Sequence, residues 1–479
     1  MGLVSMAIRL ALPKGRLMAP VASILQKAEW GMEDYNEKSR QYRLKPSNRD
    51  DIVAKMFQEK DIPIQVAIGN YDIGICGFDW LTEYTVKYPS CALEILSDLG
   101  FGEGAIYAAA MPGTIKGEVI TTQHDAVRIA GEYPNLAESL AFKIRLRHFA
   151  VYPLWGSADA YPPENADIIL ISRQSEEEVS TLGFESLGKI VDFRACLVVN
   201  TDSLRCKDMS GVLASIKANI APSSAVPNNA EKRVTIGAMR QNVRHGSSSE
   251  PDMVRLALPD GHQQSHVRKI LDAAGINIDD YPSASGNRRP KIALDGFFVK
   301  VIRPQDMPMQ VASGDYDLAI TGFDWLTDHL YQFPGSPVKR MLDLKYGWVR
   351  IVAVVANETP VSTTAELQQM LKTNKISCRI AAEYTNIADY YARANHFSPY
   401  RIVPTWGATE AFLPEDADLL IENTETGSTL VKNNLKIIDT LFESTACVIG
   451  NTHSNRSSLK SSRMANFVEM LRKALEKAS

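Results

Sequence analysis

The chain has 479 residues, 45% hydrophobic and 23% charged, with a formal net charge of −4. That length is too great for one hydrophobic core, and the composition is neither that of a disordered nor of a fibrous chain. The slightly acidic balance argues against a nucleic-acid surface, and no run approaches the ~18 apolar residues of a membrane helix, so a cytoplasmic protein is expected.

The first half alternates strand and helix signals. A strand at 8–12 leads to a helix at about 18–28, and strands follow near 64–66 and at 72–76, the second running into a helix start at 78–81. Further strands are read at 104–109, 127–130, 149–153 and 166–171, then a last strand at 196–200 with a terminal helix. Alternation over this length predicts α/β layers with largely parallel sheets, whose ligands gather at the carboxyl ends of strands. The chain is expected to leave the first sheet near 99–102 and to return near 172, giving two lobes with a cleft between them.

The same signals then recur. IRLALPKGR (8–16) returns as VRLALPDGH (254–262), and IGNYDIGICGFDWLTEY (68–84) as SGDYDLAITGFDWLTDH (313–329). RIAGEYPNLA (128–137) returns as RIAAEYTNIA (379–388), and YPLWGSADAYPPENADI (152–168) as VPTWGATEAFLPEDADL (403–419). A near-constant offset in fixed order marks a duplication. The reading is a first module at 1–221, a linker at 222–251 with a short ordered piece around 234–239, and a second module at 252–479.

The stretch with the most chemistry is ADLLIENTETGSTLVKNNL (417–435). A buried strand, Leu419-Leu420-Ile421, feeds the acids Glu422 and Glu425 and then Thr426-Gly427-Ser428-Thr429, ahead of a helix read through Leu430, Leu435, Ile437 and Ile438. Such a turn offers unpaired backbone N–H groups, hydroxyls and the positive end of a helix dipole, which suit a phosphate monoester. The acids could take sugar hydroxyls or a magnesium ion. An ordinary capped helix start would read the same way.

The six cysteines, Cys76, Cys91, Cys196, Cys206, Cys378 and Cys447, form no C-x-x-C pair, and the eight histidines show no metal spacing. Buried thiols in a reducing compartment are expected and a zinc site is not. Trp80 and Trp325 read as core residues rather than stacking platforms. The first residues carry no basic region or small-residue cleavage site, so no leader is expected.

Taken together, LALPKGRL, the two G-x-YD…GFDWL segments, RIAGEYPNL, the WGS and WGA stretches and ENTETGSTL resemble the short form of the ATP phosphoribosyltransferase family over nearly all of both modules. The resemblance implies two tandem copies of a two-lobed module like the type II periplasmic binding proteins. It implies Mg²⁺-dependent attack of N1 of ATP on C1 of phosphoribosyl pyrophosphate, with the magnesium carried by substrate rather than by a protein site. It also implies a usual partner, a regulatory subunit resembling histidyl-tRNA synthetase, which the fusion departs from. No nucleic-acid or membrane partner is expected, whereas an internal pseudo-dimer and a larger homo-oligomer are.

Divergence between the copies assigns the roles. Where the second has ENTETGSTL, the first has ISRQSEEEVSTLG (171–183), with Val179 in place of glycine and three acids at the entry, which a phosphate would avoid. Conversely Lys14 and Arg16 of the first copy become Asp260 and His262 in the second. Ser39-Arg40 matches a family pair that reaches the pyrophosphate from a neighbouring subunit, whereas the R-P-x-D motif survives only at Arg303. The expectation is one shared site: Thr426–Thr429, Glu422, Glu425, Arg303, Asp324 and Glu383 bind substrate, and Lys14, Arg16 and Arg40 serve the leaving pyrophosphate. The alternative is a ligand-binding clam-shell that has lost its chemistry.

Overall fold

In the computed structural model, strand Ile8–Lys14 runs parallel to both of its neighbours, Ile52–Gln58 and Ile73–Gly77. Its Leu10, Ala11 and Leu12 have no exposed surface. A near-continuous apolar run is what a strand covered on both faces requires. The residues described are 7–39, 41–117, 119–122, 125–220, 240–243, 252–284, 286–452 and 457–478.

Each copy has two lobes, and each lobe has one main sheet. In lobe I of the first copy the order is Arg43–Leu44, Ile52–Gln58, Ile8–Lys14, Ile73–Gly77, Ala195–Asn200, Leu93–Asp98. Lobe II runs Phe149–Pro153, Val127–Gly131, Ile168–Arg173, Gly104–Ala110, Glu185–Phe193. The second copy repeats both, with Phe297–Ile302, Val254–Pro259, Leu318–Gly322, Ala446–Asn451, Val338–Asp343 in lobe I. Its lobe II runs Tyr400–Pro404, Cys378–Ala382, Leu419–Thr424, Val349–Ala356, Leu435–Ser444. The tandem two-lobed α/β architecture is therefore present. The sheets are mixed, because the strands that carry the chain between lobes enter antiparallel to the rest.

Three local expectations are corrected. Residues 64–66 are not a strand: Asp61 and Pro63 start a helix, Ile62–Ala67, as proline in the first turn favours, and Met307–Ala312 repeats it. The return crossover lies at 193–195 rather than near 172, since Ile168–Arg173 is followed by helix Glu176–Thr181 and edge strand Glu185–Phe193. There the two crossovers bond each other, Leu99 N–H to Ala195 O and Ala195 N–H to Phe101 O, both at 2.9 Å. The helix after the phosphate-type turn is only Ser428–Lys432, because Asn434 takes a left-handed φ of 56° and the β-branched run beyond it joins strand Leu435–Ser444. In the inter-copy segment, Arg240–Val243 pairs in parallel with Val119–Thr122 of the first copy, while 234–239 lie outside the described residues.

The hydrophobic cores cross from copy to copy. One joins the first copy's Phe57 and Tyr71 to Phe412, Leu413, Leu420 and Leu430 of the second copy's lobe II. Another joins Tyr107, Tyr161 and Ile169 of the first copy's lobe II to Ile302, Met307 and Tyr316 of the second copy's lobe I. Apolar area removed from water is the main favourable term in such contacts, so lobe I of each copy is welded to lobe II of the other.

Candidate active site

The Gly-containing turn is built as its residue types suggest. Gly427 sits at φ +75°, a left-handed conformation that only glycine adopts cheaply, and heads helix Ser428–Lys432, whose first N–H, that of Ser428, reaches Thr426 Oγ1 at 3.4 Å. Thr424 Oγ1 accepts the Gly427 N–H at 2.9 Å, and Thr426 Oγ1 donates to Ser428 Oγ at 3.1 Å. Glu425, Thr426 and Ser428 are exposed, while Leu430 anchors the helix in the core.

The matching stretch of the first copy is not a degraded turn but a different structure. Its helix begins at Glu176, so Val179 lies inside it and is fully buried. The expected obstruction by a valine side chain at a phosphate turn is thus replaced by a simpler cause: no such turn exists. Ser175 Oγ accepts the Glu178 N–H at 3.4 Å, and a Glu178 carboxylate oxygen accepts the Gln174 N–H at 3.1 Å. A serine followed three residues later by glutamate occupies donors that an anion would need.

A cavity of about 460 Å³ lies where all four lobes converge. Lys14, Arg16, Lys60 and Trp80 come from the first copy's lobe I and Glu132 and Trp155 from its lobe II. Arg303 and Gln305 come from the second copy's lobe I, and Glu383 and Trp406 from its lobe II. The structure thus brings Lys14, Arg16, Arg303 and Glu383 together. Lys14 Nζ donates to Tyr42 OH at 3.3 Å, and its charge acts on Glu410 of the other copy.

Arg16 is engaged by two carboxylates of its own lobe. Its Nη2 is 2.8 Å from Asp79 Oδ2 and its Nε 3.1 Å from Glu59 Oε2. Burial opposes its charge, but Asp79 and Glu59 outweigh that and hold its pKa above the ordinary value. Arg303 reaches across to the first copy, where a Cβ on Gly156 would stand 3.1 Å from its Nε. Arg40 lies outside the described residues. Two positions on, the Tyr42 N–H donates to Asn433 Oδ1 at 3.3 Å, just past the helix that Gly427 heads.

Asp324 does not line the cavity. It is buried and accepts from Tyr384 OH at 2.6 Å and Ser444 Oγ at 3.2 Å. Glu422 is close enough to Glu410 and Glu383 to feel their charge, and of the three only Glu383 lines the cavity, as none of residues 425–429 does. Burial raises all three carboxyls, Glu383 to about 7 and Glu422 well beyond the usual carboxylate range, and each acid's neighbours add to the effect at Glu422. Among the described residues no group of His, Cys, Asp or Glu is arranged to hold a metal ion.

Sequence reasoning missed Lys60. Its Nζ stands 5.4, 5.5 and 5.4 Å from the ring centroids of Trp80, Trp155 and Trp406, a cation facing three indoles from both copies. Burial lowers its pKa, and Glu132 opposes the change. The Trp-Gly pair recurring at 155–156 and 406–407 was the available signal. Trp80, read as core, is half-buried on the cavity wall.

A profile of the family described as ATP phosphoribosyltransferase matches residues 58–221 and 303–473. The chain is similar to ATP phosphoribosyltransferase of Chlorobaculum parvum, 30% identical over 233 residues, covering 48% of this chain and 74% of the relative. The enzyme of the same name from Chlorobium chlorochromatii is 31% identical over 229 residues, covering 47% and 72%. Among solved structures, the ATP phosphoribosyl transferase (HisG:HisZ) complex from Thermotoga maritima is 23% identical, covering 47% of this chain and 100% of that one at a TM-score of 0.38.

Proposed function

The chain belongs to the ATP phosphoribosyltransferase family, and we propose that it performs the family reaction in a site shared by its two copies. The reaction moves the 5-phosphoribosyl group of phosphoribosyl pyrophosphate to N1 of ATP, releases pyrophosphate and begins histidine biosynthesis. In this reading Thr426, Gly427, Ser428 and Thr429 take the 5-phosphate, and Glu422 and Glu425 take ribose hydroxyls. Lys14 and Arg40 of the first copy are assigned to the pyrophosphate, Arg40 from the sequence alone, while Arg303 and Glu383 help to seat the nucleotide in the cavity. Arg16, already held by Asp79 and Glu59, shapes the cavity wall. Asp324 holds the second copy's lobes together.

The observation that carries this reading is the contrast between two helix starts. One is headed by left-handed Gly427 and carries the exposed hydroxyls of Thr426 and Ser428; the other has no glycine, starts at the capping Ser175 and puts three glutamates in its first turn. N1 of ATP attacks with its own lone pair, so no general base is needed. Catalysis then rests on orientation and on cations placed where the leaving group gathers charge. Magnesium is proposed to travel on the substrate phosphates. Glu422, beside the turn, and Glu383, on the cavity, are pushed toward their protonated forms by burial, which suits sugar hydroxyls better than a resident divalent ion.

We place the protein in the cytoplasm, as a biosynthetic enzyme; no described helix is long and apolar enough to cross a membrane. The fused copies act as an internal pseudo-dimer, and a subunit resembling histidyl-tRNA synthetase is the proposed partner, to be sought by co-purification. The reading is tested by product absorbance with ATP, phosphoribosyl pyrophosphate, Mg²⁺ and a pyrophosphatase. Wild type forms product, and Gly427→Val and Arg40→Ala form none, alone or mixed. Strong activity in either variant, or its recovery on mixing, removes the single-chain composite site.

A further inference from the structure

The composite site requires the second copy's turn to be held against the first copy, and one buried side chain sits at that joint. Lys55, in strand Ile52–Gln58, is 1% exposed. Its Nζ donates to Ala411 O at 2.8 Å and Asp416 Oδ2 at 3.2 Å, and it also meets Glu415. Tyr71 OH donates to the same Asp416 oxygen at 3.0 Å, and Phe57 packs edge-on to Phe412 with ring centroids 5.3 Å apart. Residues 411–416 lead directly into strand Leu419–Thr424, which feeds the phosphate turn.

The pseudo-symmetric joint is built on Lys300, also fully buried, but it is incompletely satisfied. Lys300 Nζ has Tyr161 O at 3.3 Å, Glu164 Oε2 at 2.5 Å and Asn165 Oδ1 at 3.3 Å. Asn165 stands where the other joint has Asp416, so one carboxylate is missing. Tyr316 OH and Asn165 Nδ2 are both buried without a hydrogen-bond partner, whereas their counterparts Tyr71 and Asp416 bond each other. A buried ammonium is held firmly only when its charge and donors are matched. The complete joint carries the lobe with the open turn, and the incomplete one carries the lobe whose turn has become a capped helix.

Resting on the composite-site reading above, we propose that Lys55 is a positioning residue for phosphoribosyl transfer. It fixes residues 411–416, and through them the Gly427 turn, at the distance from the first copy's cations that the pyrophosphate spans. Lys300 performs the same docking for a lobe whose matching stretch is a capped helix, so it supplies an internal control of matched residue type and burial, with one carboxylate fewer around it.

The test compares Lys55→Met, Lys300→Met, Lys55→Arg and Tyr71→Phe in the full chain. It measures KM for each substrate and kcat, with thermal unfolding to confirm that each variant folds. Lys55→Met is expected to raise KM for phosphoribosyl pyrophosphate about tenfold or more and to lower kcat, with Lys55→Arg recovering part of the loss. Lys300→Met should move that KM by less than about threefold while lowering the unfolding midpoint comparably. Should Lys55→Met fail to fold, Tyr71→Phe, which leaves Asp416 one donor short, should raise the same KM about twofold to fivefold. Equal shifts in the Lys55 and Lys300 variants, or an unmoved KM in Lys55→Met or in the fallback Tyr71→Phe, overturn the proposal. Wild type and Gly427→Val run alongside: an active Gly427→Val sinks the composite reading, whereas an inactive one beside an unaffected Lys55→Met sinks only the role of Lys55.

Discussion

Tyr384 donates its phenolic O–H to Asp324 at 2.6 Å, and Tyr133 makes the same lobe-to-lobe bond to Asp79 at 2.9 Å. Only the first copy adds an arginine, Arg16, to its aspartate; in the second, Ser444 Oγ and the Asp324 backbone environment take that place. Asn423 Nδ2 donates to Tyr384 OH at 3.1 Å, so this bond also braces the strand that feeds the Gly427 turn.

Asp324→Ala is accordingly a stability variant first. It strands the hydroxyls of Tyr384 and Ser444 in a buried site, which costs about 2–4 kcal/mol. Chemical denaturation of Asp324→Ala should show that loss. A variant as stable as wild type would mean that the aspartate braces nothing.

Gly427→Val combines two effects that separate cleanly. A Cβ at Gly427 meets nothing within 4 Å, so the strain comes only from the positive φ, about 1–2 kcal/mol. The larger consequence is on the turn itself, which relaxes to escape that strain and loses its aim at the phosphate. The unfolding midpoint should fall modestly, and kcat/KM for phosphoribosyl pyrophosphate by about 100-fold or more. A large stability loss with normal KM would contradict this.

The pH dependence of stability has a definite sign at Asp306. Burial pushes its carboxyl up to about 7, against the pull of Tyr161 OH at 3.0 Å and the Trp155 N–H. The folded protein therefore keeps a proton that the unfolded chain releases near its ordinary pKa of about 4. Stability from this group is complete below about pH 4 and is lost as pH rises to about 7, with a slope of at most about 1.4 kcal/mol per pH unit. Glu83 and Glu383, each also raised by burial to about 7, act in the same direction. Urea unfolding across that window should show the fall, and Asp306→Asn should flatten it. An unchanged slope in Asp306→Asn would refute the assignment.

Thiol labelling offers a check on the packing. Cys206 is exposed and Cys91 half-buried, whereas Cys76, Cys196, Cys378 and Cys447 are buried and none is in a disulfide. One fast and one slower equivalent are expected in the native protein, with the remaining four appearing on denaturation. Rapid labelling of more than two would show that the sheets are not packed as described.

Much of this was legible because its causes are local. An apolar run between turn residues makes a strand wherever it lies, so the duplicated strand order followed from the repeated motifs. A glycine before Ser-Thr-Leu after a buried strand announced a turn at a helix start, and Gly427 heads such a helix. The local misreadings were also local in origin. Asp61 and Pro63 signalled a helix start that the β-branched Ile64 and Val66 obscured, and Lys432-Asn433-Asn434 was a helix stop passed over in favour of apolar spacing.

What sequence alone determined is the content of each lobe: which segments form strands, which copy kept the Gly-Ser-Thr turn, and which copy kept which charges. Only the tertiary structure decided how the lobes are shared. Lys55 reads as an ordinary strand residue until Asp416, 361 positions away, is folded against it. Likewise Arg16 reads as a free cation until Glu59 and Asp79 close on it. Burial and ion pairing depend on distance in space, which the spacing of residues along a chain does not record. Backbone turns and strand patterns depend on neighbours, which it does.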